Sequence, residues 1–282
     1  MSKPPSTTRG EPSSPVVPAS VACFGEVLWD CLPNARLPGG APLNVAYHLN
    51  KLGIEAIIVS AVGKDALGDE LLAYITRCGL GTAFVNRHPT LPTGKVPVSL
   101  DDHGHASYTI EENVAWDDIG TRANLPIAGA IVFGSLASRS AANREALMEL
   151  LVRPDTLRVM DVNLRPPFDD SARVLELAAH ANWLKVNLSE LSQLTGVTVE
   201  GDPSHAAQTL SSRTGVKRIC VTGGVAGAWL IDDGTQHFSP GVHVNVVDTV
   251  GAGDAFTAAL VAGLKASPAP NAAVKEIGRA HV

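Results

Sequence analysis

The sequence predicts an α/β fold with a mostly parallel central sheet covered by helices on both faces. From Val21 onward, short runs of apolar residues alternate with segments of helical periodicity. The apolar runs are continuous, which is typical of strands that are buried on both faces of a parallel sheet. Residues 93–116 depart from this alternation, because two β-type runs follow each other there with no helix between them.

The first twenty residues, MSKPPSTTRGEPSSPVVPAS, are rich in Pro and Ser. Such a segment cannot bury a core, so we expect residues 1–20 to form a disordered tail that precedes one domain over residues 21–282. The tail lacks the apolar stretch of a signal peptide, which predicts a cytoplasmic protein.

The elements of the domain can be predicted in chain order. The run VACFGEVLWD is predicted as one strand that ends at Asp30, and LNVAYHLNKLG as a helix that Gly53 ends. The run EAIIVSAVG predicts a strand and DALGDELLAYITRCG a helix. Later strands, separated by helical segments such as NREALMELLV and SARVLELAAHA, are AIVFGSLA, LRVMDVNL, NWLKVNLS and RICVTGG.

The two β-type runs of residues 93–116 flank DDHGH, a turn sequence, and predict a β-hairpin outside the main sheet. Ligands of α/β proteins gather at the carboxyl ends of the strands, so this hairpin could act as a lid there. A plain surface excursion fits the pattern equally well. Trp116 is expected in a small core of the hairpin itself.

The segment VVDTVGAGDAF joins a strand to a helix through small residues. Gly251, Ala252 and Gly253 leave backbone N–H groups accessible at a helix N-terminus, which attracts anions. The carboxylate of Asp254 would repel a phosphate there, but it has a purpose if it takes a proton from a hydroxyl that attacks phosphorus. The alternative is an acidic residue that merely complements the helix dipole.

Several classes of protein are disfavoured. The chain has no GxxxxGK[ST] motif and no HRD or DFG set, and Phe256 replaces the third glycine of GxGxxG. A net charge of −6 argues against sequence-independent binding to nucleic acid. No apolar run approaches the roughly 20 residues of a membrane span, so we expect neither nucleic acid nor membrane as a partner.

Two segments carry a specific resemblance. DTVGAGDAF resembles the C-terminal signature of the ribokinase-like (PfkB) carbohydrate kinases, and LPGGAPLNVAYHLNKLG resembles their N-terminal signature in its fructokinase-like form. Between them, VGKDALGDELL, DVNLRPPF, KVNLSEL and VTGGVAGAWL occur in the order of the family. The resemblance covers about residues 21–264. It implies a three-layer ribokinase-like sandwich with a small β-lid from about residues 29–40 and 93–116.

The resemblance also implies roles for individual residues. Asp254 would be the catalytic base, with Gly251, Ala252 and Gly253 as an anion hole, and Asp248 with Thr249 would belong to a loop that binds a monovalent cation. On the sugar side it implies Asp30, Gly39, Gly40, Asn44 and Arg165. Asn44 could instead be an ordinary polar residue of a first helical turn, and Arg165 could instead pair with Asp161.

On the nucleotide side, Asn187 and Glu190 fit a helix cap, and the resemblance also places Glu190 near magnesium. Lys185 could face the nucleotide phosphates, or it could be an edge residue that extends to solvent. The cofactor-binding residues implied as a set are Lys185, Asn187, Thr222, Gly224 and Gly227.

The implied activity is transfer of the γ-phosphoryl group of ATP to a hydroxymethyl oxygen of a sugar, fructose in the first place, with Mg²⁺ and K⁺ as cofactors. Ribose, 2-keto-3-deoxygluconate or another small sugar remains an alternative acceptor, and a catalytically impaired sugar-binding homologue remains an alternative protein. A homodimer through the lid is expected. The segment KASPAPNAAVKEIGRAHV does not resemble the family's usual continuation, which predicts a truncated C-terminus.

Overall fold

The computed structural model describes residues 20–100, 106–120, 129–242 and 251–266, and it folds them into two sheets and seven helices. The strands are β1 Val21–Phe24, β2 Leu28–Leu32, β3 Ala35–Gly39, β4 Ala56–Gly63, β5 Val85–His88, β6 Lys95–Leu100, β7 Ala106–Tyr108, β8 Ala130–Gly134, β9 Leu157–Asp161, β10 Trp183–Asn187, β11 Arg218–Thr222, β12 Ala228–Asp232 and β13 Thr235–Ser239. The helices are α1 Ala41–Lys51, α2 Ala66–Arg77, α3 Ala141–Leu151, α4 Ser171–Ala178, α5 Leu188–Thr195, α6 Ser204–Thr214 and α7 Ala252–Ala266.

The central sheet has the strand order β13-β12-β11-β10-β9-β8-β1-β4-β5. Each of the seven neighbouring strands β11, β10, β9, β8, β1, β4 and β5 pairs in parallel with the next. At one edge, β12 is antiparallel to β11 and β13 is antiparallel to β12. Core residues of α1, α2 and α7 pack on one face of the sheet, and those of α3 to α6 pack on the other. The predicted three-layer α/β fold is therefore confirmed.

The smaller sheet has the order β3-β2-β6-β7 and is called the lid below. Its strands β6 and β7 are antiparallel, with Val98 opposite Tyr108, so the predicted hairpin is confirmed. Residues 101–105, which were predicted to form its turn, lie outside the described residues. Strand β2 joins the hairpin by pairing in parallel with β6.

The prediction of one strand over VACFGEVLWD was wrong. Strand β1 ends at Phe24, and Gly25 then takes a φ of 145°, a value that side-chain-bearing residues rarely adopt. The chain bends there and enters the lid as β2. As a result Asp30 lies in the lid and not at the end of the first strand of the central sheet.

Two further expectations need adjustment. Trp116 does not lie in a core of the hairpin, because it is fully buried in the main core on the α3–α6 face of the sheet. Ser20, the last residue of the predicted tail, is buried, and its carbonyl accepts a hydrogen bond from the Gly129 N–H (2.9 Å). Residues 1–19 lie outside the described residues. Among the described residues no helix is long and apolar enough to cross a membrane.

Candidate active site

A polar cleft of about 600 Å³ lies between the lid and the carboxyl ends of the central strands. This is the edge at which an open α/β sheet binds ligands. Eleven of the residues predicted for the site line the cleft: Asp30, Gly40, Asn44, Arg165, Lys185, Asn187, Glu190, Thr222, Gly251, Gly253 and Asp254. Residues from the two ends of the sequence and from both sheets therefore meet in one place.

Four other predicted residues do not line the cleft. Gly39 lies against Asp30, and a Cβ atom at Gly39 would come within 2.2 Å of the Asp30 carboxylate. Ala252 begins helix α7, while Gly224 and Gly227 lie in and directly after the short turn that follows β11. Asp248 and Thr249, predicted for cation binding, lie outside the described residues.

Gly40 shows why this position requires glycine. Its φ is 108°, and a Cβ atom would lie 2.4 Å from the carbonyl oxygen of Glu26. The close approach lets helix α1 begin directly at the cleft, with Pro42 in its first turn. Asn44 in that first turn consequently faces the cleft.

Asp254 is at the N-terminus of helix α7, where the first backbone N–H groups have no partner within the helix. The Asn44 Nδ2 donates a 2.8 Å hydrogen bond to its Oδ2. Burial raises the pKa of Asp254 to about 6, and this effect outweighs the opposing hydrogen bond from Asn44. A carboxylate with such a pKa is ionised at neutral pH and can still accept a proton, as a general base must.

Asp161, Lys185 and Thr257 form a buried cluster beneath Asp254, here called the Asp161 network. The Lys185 Nζ donates to both carboxylate oxygens of Asp161 (3.0 and 3.2 Å), and the Thr257 Oγ1 donates to Asp161 Oδ2 (2.7 Å). Lys185 is therefore not an edge residue that extends to solvent. The alternative pairing of Asp161 with Arg165 is also wrong, because Asp161 is engaged by Lys185 and Thr257 while Arg165 is exposed.

Asn187 and Glu190 form a complete capping box at the start of α5. The Asn187 Oδ1 accepts from the Glu190 N–H and the Glu190 Oε2 accepts from the Asn187 N–H, both at 2.8 Å. The helix-cap interpretation is therefore confirmed. The other Glu190 oxygen accepts from the Leu164 N–H (3.0 Å).

The surroundings of Glu190 fit a nearby cation. Burial raises the pKa of this carboxyl group, and the negative charge of Asp161 raises it further. Among the described residues no three His, Cys, Asp or Glu side chains are grouped closely enough to hold a metal ion alone. Proteins often hold Mg²⁺ through one or two carboxylates together with substrate phosphates and water, and Glu190 could supply one such carboxylate in the cleft.

Glu26 is a further residue of the cleft, and no motif in the sequence predicted it. Its side chain lines the cleft, is only 5% exposed, and accepts from the Ala41 N–H through Oε1 (3.3 Å). Burial raises its pKa to about 7. Gly25 directly before it was the available indication, since a glycine inside a strand pattern can mark a bend.

Comparisons with known proteins agree on one family. The family model described as pfkB family carbohydrate kinase matches residues 18–280. Fructokinase-1 of Oryza sativa subsp. japonica is 31% identical over 267 residues, which cover 86% of this chain and 81% of the relative.

Solved structures share the fold. One is aminoimidazole riboside kinase from Salmonella enterica, in complex with aminoimidazole riboside and an ATP analogue. It is 26% identical to this chain with a TM-score of 0.79, and the match covers 93% of this chain and 91% of the kinase chain. A double-mutant fructokinase from Vibrio cholerae O395, with fructose, ADP and potassium bound, has a TM-score of 0.81 at 21% identity. The match covers 93% of this chain and 90% of the fructokinase chain.

Proposed function

This chain belongs to the pfkB family of carbohydrate kinases, and we propose that it transfers the γ-phosphoryl group of ATP to a hydroxymethyl oxygen of fructose. The observation that carries the proposal is the position of Asp254. A carboxylate with a pKa near 6 lies at the N-terminus of α7, in a polar cleft that reaches from the lid to the central sheet.

In the proposed reaction Asp254 takes the proton of the attacking hydroxymethyl group. The oxygen then forms a bond to the γ-phosphorus, and the bond from that phosphorus to the ADP oxygen breaks. The backbone N–H groups of Gly251, Ala252 and Gly253 stabilise the charge on the phosphoryl oxygens. Asn44 keeps the Asp254 carboxylate in place through its 2.8 Å hydrogen bond.

The lid side of the cleft has the groups that a sugar requires. Asp30 accepts hydrogen bonds from sugar hydroxyls, and Asn44 has both a donor and an acceptor. Gly39 and Gly40 allow close approach of the backbone. Arg165 lines the same cleft and has the geometry to hold a sugar or phosphate oxygen.

The nucleotide occupies the opposite side of the cleft in this proposal. Lys185, Asn187 and Thr222 line that side, and the turn with Gly224 and Gly227 follows strand β11. Glu190 would hold Mg²⁺ with its water, and Asp248 with Thr249 would hold K⁺. Mg²⁺ supplies neutralisation of phosphate charge when it is bound.

Fructose is proposed because relatives such as the rice protein are named fructokinases. A second acceptor is an aminoimidazole riboside, since the Salmonella riboside kinase is also a structural neighbour. Both acceptors present a hydroxymethyl group, so the Asp254 chemistry does not distinguish them.

The test is ADP release with Mg²⁺ and K⁺ across fructose, ribose, 2-keto-3-deoxygluconate, glucose, adenosine and aminoimidazole riboside. The proposal expects the highest kcat/KM with fructose. A higher kcat/KM with aminoimidazole riboside would make the riboside the acceptor instead of fructose. Absence of turnover with fructose and with the riboside would contradict both proposed acceptors.

Asp254→Asn separates an enzyme from an impaired sugar-binding homologue. Loss of a general base typically costs about 10²–10⁴-fold in rate, while fructose binding measured by calorimetry is retained. Asp155→Asn is the control, because Asp155 is exposed and its φ of 57° is one that asparagine tolerates. Unchanged turnover in Asp254→Asn would disprove the assigned base.

A further inference from the structure

We propose that Thr257 is a positioning residue for phosphoryl transfer, because its hydroxyl bond to Asp161 fixes the first turn of α7 to the central sheet. The inference rests on the proposed function, since that turn contains the anion hole and Asp254. Thr257 itself does not line the cleft.

Thr257 connects two elements that are far apart in sequence. Its side chain is fully buried, and its Oγ1 lies 2.7 Å from Asp161 Oδ2 at the end of β9. The same oxygen lies 2.9 Å from the carbonyl oxygen of Gly253, one turn earlier in α7. A hydroxyl group has one proton and can donate it fully to only one acceptor.

The carboxylate is the stronger of these two acceptors. Hydrogen bonds to an ionised group are shorter and about twice as strong as those between neutral groups. The hydroxyl of Thr257 is therefore drawn from its own helix to the sheet. Two other buried helical threonines, Thr195 and Thr214, donate instead to the carbonyl four residues earlier, at 2.7 and 2.9 Å.

Lys185 supports the same turn from strand β10. Its ammonium group is held by Asp161 and lies 3.3 Å from the point that a Cβ atom on Gly253 would occupy. Burial favours the neutral amine, but the charges of Asp161, Glu190 and Asp254 together with the hydrogen bonds to Asp161 outweigh burial and raise the pKa of Lys185. The ammonium group thus remains charged beside the anion hole.

Asp161 is therefore shared between β10 and α7, and its bonds set the position of residues 251–254 relative to the strand ends. Phosphoryl transfer depends on such positioning, since a displacement of about 1 Å can cost about 100-fold in rate. Substrate affinity depends on other residues, so kcat is expected to change more than KM.

Two variants separate the hydroxyl group from packing. Thr257→Val keeps the volume and removes the hydroxyl, and Thr257→Ser keeps the hydroxyl and removes a methyl group. Thr195→Val is the control, as Thr195 is a buried helical threonine outside the cleft. Kinetics are measured with the acceptor that the wild type prefers, and hydrogen exchange of residues 255–257, whose N–H groups are the first to be bonded within α7, is measured in the free full-length protein.

For Thr257→Val we expect kcat to fall about 10-fold or more, KM for the sugar to stay within about twofold, and residues 255–257 to exchange faster. Thr257→Ser should resemble the wild type in both measurements, as should Thr195→Val. Wild-type kcat and exchange in Thr257→Val would overturn the inference, and so would a serine variant as impaired as the valine variant. If the wild type phosphorylates no acceptor, the proposed function fails and the exchange measurement alone decides this inference.

Discussion

At the scale of single residues, the Asp254 carboxylate owes its pKa to a balance between burial and one hydrogen bond. Burial raises the pKa to about 6, while the 2.8 Å bond from Asn44 stabilises the ionised form and lowers it. Asp161 raises the pKa, and Lys185 and Arg165 lower it. In the free enzyme this value governs the acid limb of kcat/KM against pH.

We expect kcat/KM to rise with pH through about 6 as Asp254 loses its proton. Asn44→Leu removes the hydrogen bond that favours the carboxylate, so the acid limb should move to higher pH. Asn50→Leu is the control, because Asn50 lies on the same helix and donates to the Cys78 carbonyl instead (3.1 Å). A limb that stays in place in Asn44→Leu, or that moves equally in the control, would contradict the assignment.

Single residues also show what the sequence could predict. The roles suggested for Asn44 and Asp254 came from recurring motifs, and the structure brings the two side chains into contact although 210 positions separate them. The Asp161 network could not be predicted, because its bonds depend on which strands are neighbours in the sheet. Glu26 was missed because it stood inside a segment predicted as one continuous strand.

At the scale of elements, the start of α2 is tied to the loop that enters the lid. Asp65 caps α2 by accepting from the Gly68 N–H (2.7 Å), and its Oδ2 accepts from the Thr93 N–H (2.8 Å). The Thr93 hydroxyl donates to Asp65 Oδ1 at 2.6 Å and accepts from the Gly63 N–H at 2.9 Å. One aspartate therefore stabilises a helix end and the base of the lid.

Asp65→Ala should lower the free energy of unfolding by more than the loss of a helix cap alone does, and it should also weaken sugar binding. Removing a capping side chain costs about 0.5–2 kcal/mol of stability, and freeing the lid loop adds to it. Asp170→Ala is the control, since Asp170 caps α4 by accepting from the Arg173 N–H (2.7 Å). Chemical denaturation and KM for the sugar are the measurements. Equal destabilisation and unchanged KM in both variants would show that the lid loop does not depend on Asp65.

Strands were predictable where a short, continuous run of apolar residues marked them, and the parallel strands β4, β8, β9, β10 and β11 illustrate this. The division of VACFGEVLWD between two sheets was not, because apolar residues continue through it while one backbone angle at Gly25 redirects the chain. The antiparallel direction of β12 and β13 depends on the short turns that precede them, which hydrophobicity does not encode.

At the scale of the whole molecule, the described residues leave one edge of the lid sheet without a neighbouring strand. Strand β3 is an edge strand of the four-stranded sheet, and Leu37 at its centre is 52% exposed. An exposed strand edge with an apolar side chain favours pairing with another copy of the chain. A lid that pairs in this way would be stiffened at the cleft that it covers.

We therefore expect a homodimer through the lid, with a mass in light scattering of about twice the 29.4 kDa of one chain. Leu37→Lys should give monomers, because a lysine on an edge strand opposes edge-to-edge pairing. Val152→Lys, at the end of α3, is the control, since Val152 is 72% exposed and lies outside the lid. A wild-type monomer would contradict the expectation. If Leu37→Lys stays dimeric or Val152→Lys dissociates, the subunits associate through a different surface. Pairing of β3 between subunits then cannot be what stiffens the lid.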